Sequence, residues 1–327
     1  MKRQQKRRAG HKKDATDTKP PIVEAELVQR FSAAAKAKVP EQLRDIELTE
    51  PVPYKLSGID RSKLGRVAST PLEPMRPEWE TSVVRPRKVP KPSPPRKMMH
   101  RGRPLQPGLV FAPDDRRTYS DWSYPWGTIC KVVTATGWGS GVIVGPRHVL
   151  TASHVVDWSR DGAGSVEVHR SGGTFRARSA ITAVWFYTKV TGTVDWFEVD
   201  EDYAVLVTST RIGDRFGWLG TRSYDGDWDG DPYWYSIGYP GDIGGGNSPV
   251  WQSRKWLDED FWDWGDANSM TTDADLIPGQ SGSPMFAWWD NGPYVVAVWS
   301  SYSSDENWCS GGGAMVRLVR TARTQDP

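Results

Sequence analysis

At 327 residues the chain has room for two or three domains, and its net charge of +2 is the residue of 42 Lys and Arg against 40 Asp and Glu. That balance conceals a division: residues 1–110 carry 25 basic and 12 acidic side chains, net +13, and residues 111–327 carry 17 and 28, net −11. No stretch is long and apolar enough to span a membrane. Cys130 and Cys309 are the only cysteines; they permit one disulfide, require none, and have no histidine cluster beside them to suggest zinc.

Residues 1–110 also hold 15 of the 25 prolines and only one of the 18 tryptophans, Trp79. A basic, proline-rich, aromatic-poor segment cannot bury enough apolar area to offset its chain entropy, so it reads as a largely disordered extension or propeptide. Within it, Lys2 to Lys13 is a solvated charge run. Ala33, Ala34, Ala35 and Ala37 favour a helix over residues 22–38, and the Pro- and Lys/Arg-rich residues 85–97 form an extended linker. The basic tail lacks the interleaved aromatics of a nucleic-acid binder, so nucleic acid is not an expected partner. Its charge is opposite to that of the remainder, which allows the tail to associate with the chain's own acidic unit. The start, Met1 to Arg8, is basic enough to open a secretory signal, but no apolar run of seven or more follows.

From about Phe111 the pattern changes to short β-branched and aromatic runs divided by glycine-rich turns, with no long helical period. Residues 129–133, 141–144, 148–150, 166–168, 175–178, 183–187 and 204–207 form a first set of expected strands. A second set covers 233–237, 250–253, 284–287 and 294–299, and Met315 to Val319 turns helical. The reading is all-β: two antiparallel β-barrels, one over 111–212 and one over 213–327, behind the extension of 1–110.

Three stretches carry chemistry. In Gly279-Gln280-Ser281-Gly282-Ser283-Pro284, a serine stands between glycines that allow a sharp turn, aiming the N–H groups of Gly279 and Ser281 at one point as an oxyanion hole. A serine hydroxyl needs a base. His11 and His100 lie in the extension, and His148 and His169 sit inside strand-like runs. His154 ends Leu150-Thr151-Ala152-Ser153-His154, where a strand breaks into small residues. The orienting acid is Asp202, at the mouth of the apolar run Ala204 to Val207, with Asp195, Asp200 and Glu201 as competitors. The order His, Asp, Ser is one of the orders in which this constellation recurs.

These stretches resemble the motifs of chymotrypsin-like serine proteases: Leu150 to His154 their Leu-Thr-Ala-Ala-His, Asp202 to Leu206 their acid-strand motif, and Gly279 to Pro284 their nucleophile loop. That loop takes the form typical of the glutamyl-endopeptidase, or V8-like, branch. Gly238-Tyr239-Pro240-Gly241 is similar to a strand-end motif of the same branch. The resemblance covers roughly residues 115–320. It implies the two-barrel chymotrypsin fold with its site in the cleft, a serine endopeptidase acting on peptide or protein through an acyl-enzyme, and no cofactor or metal. Catalytic His154, Asp202 and Ser281, and an oxyanion hole of Gly279 and Ser281, are implied with it. Asp275, Trp299 and Ser300 become the substrate-binding residues, and the resemblance implies export from the cell, which the start of the sequence does not support.

The sequence also departs from the pattern. Gln280 stands where trypsin-like enzymes carry an aspartate, so their activation switch, in which a freed N-terminal amine pairs with that acid, has no partner. Asp275, six residues before Ser281, matches the acid that floors a Lys/Arg pocket. The strand Ala297 to Ser301 lacks the histidine that helps receive glutamate. On these grounds basic or small neutral residues rank above Glu as targets. Asp225 to Gly230 copies half of an EF-hand loop, but its twelfth position is Ser236 rather than Glu, so a solvated acidic loop is expected. The rival reading is a catalytically inactive barrel that serves as a binding or scaffold protein through its basic tail.

Overall fold

The computed structural model describes residues 19–22, 46–47, 55–64, 67–80, 99–100, 103–104, 109–111, 113–192, 194, 198–259, 266–303 and 306–327. The charge run, most of the expected helix at 22–38 and the linker at 85–97 lie outside these residues.

Six strands follow the first set of apolar runs: β1 Ile129–Thr134, β2 Trp138–Gly145, β3 His148–Thr151, β4 Gly164–Val168, β5 Ala177–Phe186 and β6 Ala204–Thr208. They pair antiparallel in the order β5-β6-β3-β2-β1-β4, and β4 pairs again with β5, which closes the barrel. The separate strands expected at 175–178 and 183–187 are one strand, β5. Its register with β6 shifts between Ile181 and Ala183, just beyond the residues Ala177 to Ala180 that pair with β4. An irregularity there bends the strand between its two partners, as a bulge does.

A short helix, α1 Ile212–Phe216, leads to the second sheet. Its strands are β7 Trp234–Gly238, β8 Val250–Lys255, β9 Leu257–Glu259, β10 Ala267–Thr272, β11 Pro284–Trp289, β12 Gly292–Tyr302 and β13 Asn307–Gly312. They are ordered β9-β10-β13-β12-β11-β7-β8. Arg117–Thr118 adds a short antiparallel strand beyond β8; β8 and β9 are joined in the chain through Trp256 alone, and the sheet curls into a half-barrel. The closing helix, α2 Gly313–Gln325, extends the expected helical turn well past Val319 and packs across β3, β5 and β6 of the first barrel.

Strand residues that read as unbroken apolar runs do so because both faces are buried. Alternate side chains serve different cores. Ile143, Val149, Val184 and Leu206 fill the first barrel, and Met285, Ala287, Val296 and Trp299 fill the second. Their neighbours Val142, Val144, Val205, Val207, Phe286, Val295 and Val298 join α2 in a third core between the two. Cys130 and Cys309 lie in separate barrel cores, and both are free thiols.

Part of the basic extension is built into this frame, which its composition did not foretell. Lys55–Gly58 adds a parallel strand to β5. Ala68 and Thr70 carbonyls accept from Arg320 of α2. Leu72 and Met75 bridge to Thr221 and Trp218, and Glu73 accepts from Tyr294 at 2.6 Å. Farther upstream, the Ile22 N–H donates to Trp288 O at 2.7 Å. Ion pairs Lys19–Asp290, Lys55–Asp326 and Arg61–Glu201 tie basic extension residues to acids of the barrels. The segment needs no core of its own, because it borrows those of the two sheets. No helix among the described residues is long and apolar enough to cross a membrane.

If the extension is structural, Leu72→Ala, at a 9% exposed site in the inter-barrel core, should cost about 2 kcal/mol. Chemical denaturation measures this, and an unchanged midpoint would refute the structural role.

Candidate active site

The register of β3 with β6 sets the first contact. Ala204 pairs with Thr151, so Asp202, two residues earlier, lies beside the turn that follows Thr151. That turn, Ser153–Val155, is a single 3-10 turn. Ser153 pins it by donating to Thr188 O at 2.6 Å and accepting from the Val190 N–H.

Asp202 is fully buried and its carboxylate is saturated with donors. Oδ1 accepts from the His154 backbone N–H at 2.9 Å; Oδ2 pairs with His154 Nδ1 at 2.6 Å and accepts from Ser300 Oγ at 2.6 Å. A carboxylate can only accept, so Nδ1 carries the proton and the neutral ring keeps Nε2 as its basic atom. Of the competing acids, Glu201 faces Thr188 and Arg61, burial pushes Asp200 up to about 6, and Asp195 lies outside the described residues.

The electrostatics follow from burial and pairing together. Burial pushes the His154 imidazolium down, but the Asp202 charge and hydrogen bond outweigh it and hold the pKa above its ordinary value of 6.5. For Asp202 burial pushes upward, and the His154 charge and its donors win in the opposite direction. The histidine's contribution to stability is therefore full below 6.5 and lost as pH rises through its higher folded value. The aspartate's is present above 3.8 and lost as pH falls through its lower one. The other two barrel histidines, His148 and His169, are driven to about 4 by burial.

The Ser281 loop is fixed to both barrels by its backbone. Ser281 O accepts from the Ser140 N–H at 2.8 Å, and the Gly282 N–H donates to Trp299 O at 2.9 Å. A Cβ on Gly282, at φ +82°, would stand 2.3 Å from Ser140 O and Thr151 Oγ1 and 2.8 Å from Ala152 N. Only glycine allows the Ser281 loop this close to β2 and the end of β3. Among the described residues, Ser281 Oγ makes no hydrogen bond, to His154 or elsewhere; such bonds are often long before substrate binds. The N–H groups of Gly279 and Ser281 are likewise without protein acceptors among the described residues.

Gln280 is buried, and its Oε1 accepts from the Ile277 N–H at 3.0 Å, closing the loop with a neutral side chain. Nothing in the sequence pattern flagged that bond, nor the Ser300–Asp202 bond.

The side chains expected to contact substrate do not present themselves to it. Trp299 is 0% exposed, with its indole N–H on Ser236 Oγ inside the second barrel. The Ser300 hydroxyl is committed to Asp202. Asp275 is 1% exposed, Oδ1 accepts from the Phe111 N–H at 2.7 Å, and Oδ2 lies 4.0 Å from Arg116 Nε. Arg116 is itself forked between Asp114 and Asp242. Burial raises Asp275 to about 6, so it is no open anionic floor. The ranking of basic target residues loses one of its supports, Asp275, because the chain's own segment covers it.

The trypsin-like peptidase domain family model matches residues 139–298. A glutamyl endopeptidase of Bacillus licheniformis is 26% identical over 184 residues, which are 54% of this chain and 54% of that protein; the match thus spans about half the length of the curated relative. A solved Glu endopeptidase in complex with MPD superposes with a TM-score of 0.56 at 22% identity, covering 66% of this chain and 100% of that one. The chain has the two-barrel fold of the chymotrypsin-like serine proteases and resembles that family over residues 139–298. The Asp202 arrangement makes the state of the imidazole directly measurable. In Asp202→Asn the charge that outweighs burial is gone, so His154 should titrate below 6.5 rather than above it. NMR titration of the ring protons reads this, and an unmoved value would show that Asp202 does not set it.

Proposed function

We propose that this chain is a serine endopeptidase that hydrolyses peptide bonds with His154, Asp202 and Ser281. The observation that carries the reading is the single carboxylate, Asp202, held by both the ring and the backbone of His154, next to a serine loop with two unpartnered N–H groups. His154 Nε2 takes the Ser281 proton as Oγ bonds to the carbonyl carbon of the scissile peptide. The carbonyl electron pair moves onto oxygen, and the Gly279 and Ser281 N–H groups receive that oxyanion. Collapse expels the amine, which leaves with the proton from His154. Water, deprotonated by the same ring, then adds to the acyl carbon, and the C–Oγ bond breaks as Ser281 Oγ takes the proton back from His154.

Because His154 must be neutral to accept a proton and its pKa is held above 6.5, turnover should rise with pH through an inflection above that value. A pH–rate profile with its acidic limb below 6.5 would contradict the arrangement. Ser281→Ala should fold normally and lose turnover by about a million-fold, by analogy with a protease of another fold. A fluorophosphonate serine label should be taken up by the wild type and not by the variant. No labelling of the full chain would instead favour the inactive barrel, with its basic segments as binding arm.

On specificity, the relatives named for Glu suggest cleavage after glutamate, but the strand from Ala297 to Ser301 has no histidine to receive one. With Asp275 covered by Phe111 and Arg116, Lys or Arg before the scissile bond should give no advantage. A peptide series varied at that one position tests this. A preference for Lys or Arg of about tenfold or more, worth roughly 1.4 kcal/mol, would mean that Asp275 is uncovered during catalysis.

A further inference from the structure

The oxyanion loop depends on a glycine, and glycine does not hold a peptide plane by itself. Gly279 has φ +99°, and its position is hemmed in: a Cβ there would lie 2.5 Å from Tyr239 O and 2.7 Å from Trp138 Nε1. Its N–H belongs to the peptide whose carbonyl, Pro278 O, accepts from the Gly241 N–H at 2.9 Å. That bond turns the Gly279 N–H the other way, toward the site. The next peptide carries Gly279 O. Rotation of the first plane would take its donor out of the hole; the second, which carries Gly279 O and the Gln280 N–H, sets the path from Gly279 to Ser281, and no side chain at residue 279 opposes rotation of either.

One hydroxyl acts on both planes. Ser140 Oγ, fully buried in β2, donates to Gly279 O at 2.7 Å and accepts from the Tyr239 N–H at 2.8 Å. Tyr239 precedes by two residues the Gly241 that holds Pro278 O, and its own carbonyl is held by Trp138 Nε1 at 3.1 Å. The Ser140 side chain thus restrains the second plane directly and the first through the Tyr239–Gly241 segment. Its backbone N–H separately holds Ser281 O, a contact that a side-chain substitution leaves in place.

We propose that Ser140 is a positioning residue for the oxyanion hole: its hydroxyl, supplied by the first barrel, fixes the two peptide planes that flank Gly279 in the second. The inference rests on the peptidase reading above. Ser140 touches neither the His154–Asp202 pair nor the Ser281 side chain through its hydroxyl, so its loss should leave the base unchanged and weaken only what the hole binds.

The test compares full-length wild type, Ser281→Ala, Ser140→Ala and Ser140→Thr in steady-state kinetics, pH profile, thermal unfolding and inhibition by a peptide aldehyde. The aldehyde adds to Ser281 Oγ and leaves its oxygen in the hole, so it reports oxyanion binding. Loss of one hole donor lowers kcat by about 100- to 1000-fold, so a loosened donor should lower it by roughly 10- to 100-fold. In Ser140→Ala we expect that fall in kcat, little change in KM, aldehyde binding weakened in proportion and an unmoved acidic limb. Ser140→Thr, which keeps the hydroxyl, should recover most of the loss. A folded Ser140→Ala with kcat within about threefold of wild type overturns the proposal. So does a loss accompanied by a shifted acidic limb, which would place the damage at His154. If Ser140→Ala does not fold, Ser140→Cys, a weak donor of similar size, is held to the same outcomes. Wild-type turnover that vanishes in Ser281→Ala but survives in Ser140→Ala removes this inference alone. An inactive, unlabelled wild type removes the peptidase reading and this inference with it.

Discussion

Taking a carboxylate out of water costs several kcal/mol unless donors replace the hydration it loses. Asp202 is wholly enclosed, and three donors meet it: the backbone and ring of His154 and the hydroxyl of Ser300. The first two come from the turn after β3 and the third from β12, so the acid belongs to one barrel and is neutralised partly by the other. Separating the barrels would strand that charge. The same contacts that make the imidazole basic therefore hold the cleft in register, and the site's geometry and the fold's cohesion are one requirement.

Cohesion elsewhere is apolar and follows from strands buried on both faces. A strand such as β6, with Leu206 in its own barrel and Val205 and Val207 in the inter-barrel core, has no side left for solvent. That arrangement leaves sheet edges and the ends of α2 to be covered, and residues 55–80 do part of the covering. They add hydrogen bonds to β5 and α2 and place Leu72 in the inter-barrel core, rather than building a core of their own.

The two-barrel class was legible because β-branched runs and glycine turns recur at short intervals, and the triad candidates because His154 and Ser281 lie among small residues and Asp202 stands at the mouth of an apolar strand. What escaped the sequence is instructive in kind. Composition argued against structure in residues 1–110, since it measures whether a segment can build a core and not whether it can lean on another's. Ser300 and Trp299 looked like substrate contacts from their place beside the nucleophile loop, yet one hydroxyl was needed by a buried acid and one indole by Ser236. Asp275 sits where a pocket acid would, and only the path of Phe111 and Arg116, set by tertiary packing, shows it covered. Ser140 carried no signal beyond lying in a Gly-Ser-Gly stretch.

The neutral Gln280 explains how the nucleophile loop is organised without help from a chain terminus. An aspartate buried at that position would need a cation to offset its desolvation, and the loop would wait on the partner's arrival. An amide needs only a hydrogen bond, and Gln280 finds it three residues away at the Ile277 N–H while its own backbone N–H bonds Ile277 O. Both halves of that exchange lie inside the loop. The remaining restraints on it, from Ser140, Gly241 and Trp299, come from β2, from the segment after β7 and from β12, all present as soon as the two sheets have packed. The conformation of the Ser281 loop is thus a consequence of folding itself. On the peptidase proposal, control over activity acts through access to the cleft rather than through assembly of an oxyanion hole.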